Sequence, residues 1–191
     1  MANFVAIDFE TADWGADSAC AVGLVRVEGG RVVAEASRLI RPPRRRIAFT
    51  HIHGLAWADL RDQPDFAEVW PGLAALIDGA DCFAAHNAAF DRAVLRACCA
   101  AAGLAAPPLR FLCTVRLARA VWGIRPTRLP DVCARLGIGL KHHDAASDAR
   151  ACAEIALAAA RAGFAVPWPA AALESRPPLR YNPPSDRGAA P

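Results

Sequence analysis

The sequence predicts an α/β fold: a mixed β-sheet, with an antiparallel hairpin on one side and parallel strands on the other, flanked by α-helices. Three observations carry this expectation. "FVAIDFE" (4–10) is apolar and rich in β-formers, the pattern of a buried central strand. "ACAVGLVRVEGGRVVAEASRLI" (19–40) is two strand-like runs joined at Gly29-Gly30, a hairpin signal. Further along the chain, short strand patterns alternate with helical ones, the mark of parallel crossovers.

The elements follow in order. After a Pro/Arg segment, "FTHIHGLAWADL" reads as a loop passing into a short helix. "PDFAEVWPGLAALIDGA" has helical spacing through Phe66, Val69, Leu73 and Leu76, and Pro71 inside it should kink or split the helix. "CFAAH" (82–86) is a short strand, and "AAFDRAVLRACCAAAGL" a helix ending near Gly103. "RFLCT" (110–114) is the expected last strand, running into the helix "VRLARAVWG". "RLPDVCARLGI" is another short helix with Pro130 at its start. The loop "GLKHHDAAS" leads to the closing helix "DARACAEIALAAARAG", opened by Asp148. We therefore expect one domain over residues 1–164 and a Pro-rich tail, extended and mobile, over 165–191.

Composition narrows the classes. Apolar residues make up 54% of the 191 and charged residues 21%, which suits a globular chain and excludes a disordered one. No apolar run approaches the length a membrane-spanning helix needs, and the N-terminus lacks a signal-peptide pattern, so a cytoplasmic location with no membrane contact is expected. The seven cysteines include no CxxC pair and read as buried, reduced thiols. Net charge is +3, and all but one of the 22 basic residues are arginines. The run "RPPRRR" (41–46) suits either contact with a phosphate backbone or a solvated loop.

The acids carry the chemistry. Asp8 and Glu10 form D-x-E on the first strand, and the two-residue strand period points both carboxylates to one face. Two acids on an otherwise apolar strand are costly unless a cation neutralises them. Asp91 sits in "HNAAFD" at the start of a helix, where capping alone could account for it. Asp148 begins the last helix, with His143 five residues earlier. Four acids and an imidazole, with no thiolate cluster, point to Mg²⁺ or Mn²⁺ rather than structural zinc. Two such cations clamp the attacking and leaving oxygens of phosphodiester hydrolysis. A histidine of ordinary pKa can take the proton of the attacking water.

"AIDFET", "AHNAAFD" and "HHDAASDA" occur in that order. They resemble the three motifs of the DEDDh 3′→5′ exonuclease superfamily, over about residues 4–160. "IHGL" and "LPDVCARLGI" resemble further segments of its branch that includes the epsilon proofreading subunit of bacterial DNA polymerase III. RNase T and oligoribonuclease belong to the same superfamily. The resemblance implies an RNase H-like sheet and release of nucleoside 5′-monophosphates from 3′ ends. It makes Asp8, Glu10 and Asp148 direct ligands of two divalent cations, Mg²⁺ or Mn²⁺, and Asp91 a further holder of the second. It makes His143 the general base; H-x4-D spacing selects it over His142, one residue too far from Asp148. In the DEDDy branch a tyrosine fills that role, but the single Tyr here is Tyr181, in the tail. Thr11 resembles the residue whose backbone meets the terminal 3′-hydroxyl. His86 and Phe90 either line the terminal-nucleotide pocket or pack in the core, and His53 is equally open.

The expected substrate is the 3′ end of single-stranded nucleic acid, DNA favoured over RNA. The alternatives are an RNA-trimming exonuclease of the RNase T or oligoribonuclease kind, or a subunit whose main task is docking to a DNA polymerase.

Overall fold

The computed structural model describes residues 3–164; the expected tail, 165–191, lies outside the described residues. Five strands form one mixed sheet in the order β3-β2-β1-β4-β5. They are β1 (Phe4–Thr11), β2 (Ala19–Glu28), β3 (Arg31–Leu39), β4 (Cys82–Ala85) and β5 (Arg110–Cys113). The hairpin forms as its Gly29-Gly30 pair predicts, both glycines having positive φ. β1 pairs antiparallel with β2 and parallel with β4, and β4 parallel with β5. The acid-bearing strand is thus central, as its apolar run predicts.

Helices cover both faces. Val5, Ile7 and Phe9 of β1 join a core with Phe66, Trp70, Val94 and Leu95 on one face. Phe4 and Ala6 join Leu117, Ala153 and Ala156 on the other. Burying a Leu, Ile or Phe side chain contributes about 1.5–3 kcal/mol each, so these two layers hold the sheet. Asp8 and Glu10 continue the Phe4–Ala6 face, and so lie under the closing helix.

Pro71 splits its helix, as expected: α3 (Phe66–Val69) passes into a 3-10 turn at Trp70–Leu73 and then α4 (Ala74–Ile77). The preceding segment folds into two single turns, α1 (Thr50–His53) and α2 (Trp57–Leu60), because Gly54 takes a left-handed φ of 79° that ends the first. α5 (Ala89–Ala101), α6 (Thr114–Trp122) and α7 (Leu129–Leu136) match expectation, with Pro130 in the first turn of α7.

The closing helix α8 spans Ala145–Arg161, so it begins three residues before the expected start at Asp148. Its N-cap is Asp144, whose side chain accepts the Ser147 N–H. Asp148 therefore lies in the first turn, turned inward and 3% exposed.

Candidate active site

β1 and α8 meet at a glycine. Asp8 pairs across the ladder with Gly23 of β2, which faces α8 together with Val25 and Val27. A Cβ on Gly23 would lie 2.0 Å from the Ala145 carbonyl oxygen, so only glycine lets the start of α8 come down onto the sheet. This brings Asp148 to the strand acids: carboxylate oxygens of Asp8, Glu10 and Asp148 lie within 4.8 Å of one another.

Asp91 comes from α5 near enough for its charge to raise the Asp8 carboxyl, although the trio whose oxygens lie within 4.8 Å of one another is Asp8, Glu10 and Asp148. The parallel ladder between β1 and β4 ends at Ala6 and Ala84. Farther along β1, the Phe9 N–H donates instead to Asp91 Oδ1, at 3.1 Å. Asp91 is 1% exposed.

The electrostatics of this cluster are unfavourable as it stands. Burial, and then repulsion from Asp91, Asp148 and Glu10, pushes the Asp8 carboxyl well above the ordinary range. Burial, then Asp148 and Asp144, raises Glu10 to about 7. Burial raises Asp91 to about 8 and also lifts Asp148. Moreover, Asp91 Oδ2 and Asp148 Oδ1 are buried with no hydrogen-bond partner among the described residues. Burying a charged group unpaired costs several kcal/mol, whereas a helix cap returns about 1. Capping therefore does not account for these acids. Converging hard oxygens with orphaned lone pairs are what a divalent cation requires, and the residues present fit one.

Both histidines of "HHD" gather at Asp148. His142 Nδ1 lies 2.9 Å from Asp148 Oδ2, and the His143 backbone N–H donates to the same oxygen at 3.1 Å. The rings stack with centroids 3.8 Å apart. His143 has φ of 66°, which turns its amide toward Asp148. Burial, then the neighbouring His142, lowers the His143 pKa, so its ring is neutral near pH 7.

The other predicted residues divide. Thr11 ends β1 at a register shift, and His53 Nε2 lies 3.2 Å from its carbonyl. His53 Nδ1 accepts the Leu55 N–H, so Nε2 carries the proton and donates to Thr11. Phe90 is 41% exposed beside Asp91. His86 turns inward: Nδ1 sits 2.8 Å from Thr114 Oγ1 and Nε2 2.8 Å from the Thr127 carbonyl. Burial lowers its pKa to about 4, so the neutral ring donates to the carbonyl and accepts the hydroxyl, clasping β4 to α6 and the loop before α7.

Two features were missed in sequence. Gly23 is one; a glycine inside the strand run "AVGLV" signals close backbone approach. The other is Trp14, 71% exposed on the loop after β1, its ring edge-on to Phe49 at 5.0 Å.

Comparison with known proteins agrees with this arrangement. Residues 5–156 match the family model RNase_T, described as exonuclease. The PolC-type DNA polymerase III of Thermotoga maritima is 31% identical over 160 residues, 82% of this chain but 12% of the polymerase. Exodeoxyribonuclease 10 of Escherichia coli K12 is 32% identical over 137 residues, 66% of this chain and 55% of that protein. The chain thus spans only a fraction of the length of the relatives it matches. Among solved structures, exonuclease X in complex with 5′ overhanging duplex DNA superposes with a TM-score of 0.65 at 25% identity, over 85% of this chain and 94% of that one. The nuclease domain of 3′hExo, a DEDDh family member bound to rAMP, gives a TM-score of 0.73 at 16% identity, over 84% and 92%, and shares the fold.

Proposed function

Since the chain belongs to the RNase_T exonuclease family, we propose that it is a 3′→5′ exonuclease of the DEDDh type that hydrolyses single-stranded DNA 3′ ends to nucleoside 5′-monophosphates by a two-metal mechanism. The observation that carries the metal is the pair of buried, unpartnered oxygens, Asp91 Oδ2 and Asp148 Oδ1, among acids whose pKa values burial and mutual repulsion raise. Asp8, Glu10 and Asp148 would hold the cations, with Asp91 helping to hold the second. When bound, two divalent cations, Mg²⁺ or Mn²⁺, neutralise developing charge and polarise the attacking and leaving oxygens.

The chain's own groups do the rest. The neutral His143 imidazole takes the proton of the attacking water. His142, on Asp148 Oδ2, orients that carboxylate. The Thr11 backbone, fixed through its carbonyl by His53, meets the terminal nucleotide. Phe90 and Trp14 present aromatic surface to its base and the next. DNA is preferred to RNA on the strength of the exodeoxyribonuclease and DNA polymerase relatives. Association with a DNA polymerase has only the PolC-type likeness behind it, and pull-down with the full chain tests it separately.

The test is 5′-labelled single-stranded DNA and RNA of equal length, with Mg²⁺, Mn²⁺ or EDTA, beside an Asp8→Ala control. A metal-dependent ladder shortening from the 3′ end, stronger on DNA and absent in the variant, is expected. Faster trimming of RNA would overturn the substrate assignment. Activity in EDTA would overturn the metal mechanism.

A further inference from the structure

The segment between β3 and α1 contains arginines 41, 44, 45 and 46, and the structure treats them differently. Arg41 pairs with Asp65 at 3.4 Å and stays with the α3 cap. Arg44 is held by two carboxylates: Asp13 Oδ2 at 2.7 Å and Asp17 Oδ1 at 2.6 Å. Arg45 and Arg46 are exposed and make no ion pair or hydrogen bond among the described residues.

Their position is fixed by their neighbours. The Ala48 N–H donates to the Ala12 carbonyl, one residue beyond Thr11, and Ile47 packs on Ala12, Cys20 and Leu60. Asp13 and Asp17 bracket Trp14, and a Cβ on Gly15 between them would fall 2.4 Å from Arg44 Nη2, so a side chain there would push the Arg44 guanidinium off its carboxylates. The Arg44 clamp therefore ties the Arg45–Arg46 stretch to the loop that follows the acid strand. Arg45 and Arg46 thus follow Arg44, which is tied to Asp13, the neighbour of the exposed Trp14, and precede Ala48, which is tied to Ala12 just beyond the acid strand. Unpaired positive charge on this segment, joined to the loop that follows the acid strand, attracts an incoming polyanion.

We propose that Arg45 and Arg46 hold backbone phosphates of the single strand upstream of the nucleotide being removed, with Arg44 as the brace that positions them. This rests on the functional reading above and specifies how the substrate strand is held. A cationic segment joined to a loop with stackable aromatic surface is the arrangement that tracks single strands without reading sequence.

The experiment measures binding of a fluorescein-labelled oligothymidylate by anisotropy in EDTA, where it is not cut, across a salt series. The full chain is compared with the double variants Arg45→Ala/Arg46→Ala and Arg45→Lys/Arg46→Lys. Each lost phosphate contact lowers the slope of log K against log salt by about 0.7 for a single strand, so the alanine variant should lose about 1.4 and the lysine variant little. Hydrolysis of the p-nitrophenyl ester of thymidine 5′-monophosphate, which has no upstream phosphate, should be equal in all three. An unchanged slope in the alanine variant overturns the proposal. So does a loss of ester hydrolysis equal to the loss of strand binding, which would place the arginines in the site itself. No ester hydrolysis or oligonucleotide cutting by the unaltered protein would instead overturn the functional reading, while the binding slope still reads the strand contact.

Discussion

Asp91 Oδ1 accepts the backbone N–H of Phe9 at 3.1 Å, joining the first turn of α5 to the centre of β1. The bond forms where the β4 ladder has stopped, so a carboxylate replaces the missing strand partner. It holds one oxygen of Asp91 and leaves the other buried without a hydrogen-bond partner among the described residues.

The first prediction concerns that carboxyl. Its pKa is raised from 3.8 to about 8, so the folded chain binds this proton more tightly than the unfolded one. The stability the proton confers is complete below about pH 4 and is lost as pH rises toward about 8. Asp91→Asn keeps an acceptor for Phe9 and removes the charge. In EDTA it should melt above the unaltered protein at alkaline pH, with the gap closing at acid pH, while exonuclease activity with Mg²⁺ falls about 10–100-fold. Differential scanning fluorimetry across pH reads the first effect; a gap independent of pH would refute it.

Gly23→Ala tests the seating of α8. The clash is with backbone, the Ala145 carbonyl, and cannot be relieved by a rotamer change. A loss of about 1–3 kcal/mol in urea unfolding is expected, with activity falling further than stability because Asp148 moves with the helix. Wild-type activity in a destabilised variant would show that the seating of α8 does not set the site.

The two stacked histidines separate by role. His143→Ala should lower kcat by about 10²–10⁴, the usual share of a general base. His142→Ala should cost less, about 10–100-fold, as expected of a group that orients Asp148. Single-turnover rates on a labelled oligonucleotide decide between them, and the reverse order would make His142 the base.

Trp14→Ala removes an indole that is 71% exposed, so the melting temperature should hold. Stacking is worth about 1–3 kcal/mol per base, which predicts a KM on oligonucleotides raised about 5- to 150-fold. Steady-state kinetics on oligothymidylate check this; an unchanged KM would exclude a base contact.

Much of this protein is legible in its sequence, because local rules govern it. A two-residue period puts Asp8 and Glu10 on one face, Gly29-Gly30 makes the hairpin, and Pro71 breaks a helix. The order of the three acid motifs carries the family resemblance. What the sequence left open depends on groups far apart along the chain. The start of α8 moved to Ala145 because Asp144 caps it, a choice between two nearby acids made by hydrogen-bond geometry. The bond from Phe9 to Asp91, the seating of α8 on Gly23 and the inward turn of His86 exist only once sheet and helices are packed. Local periodicity determines which face a side chain takes; only packing decides which distant groups share that face, and at what distance.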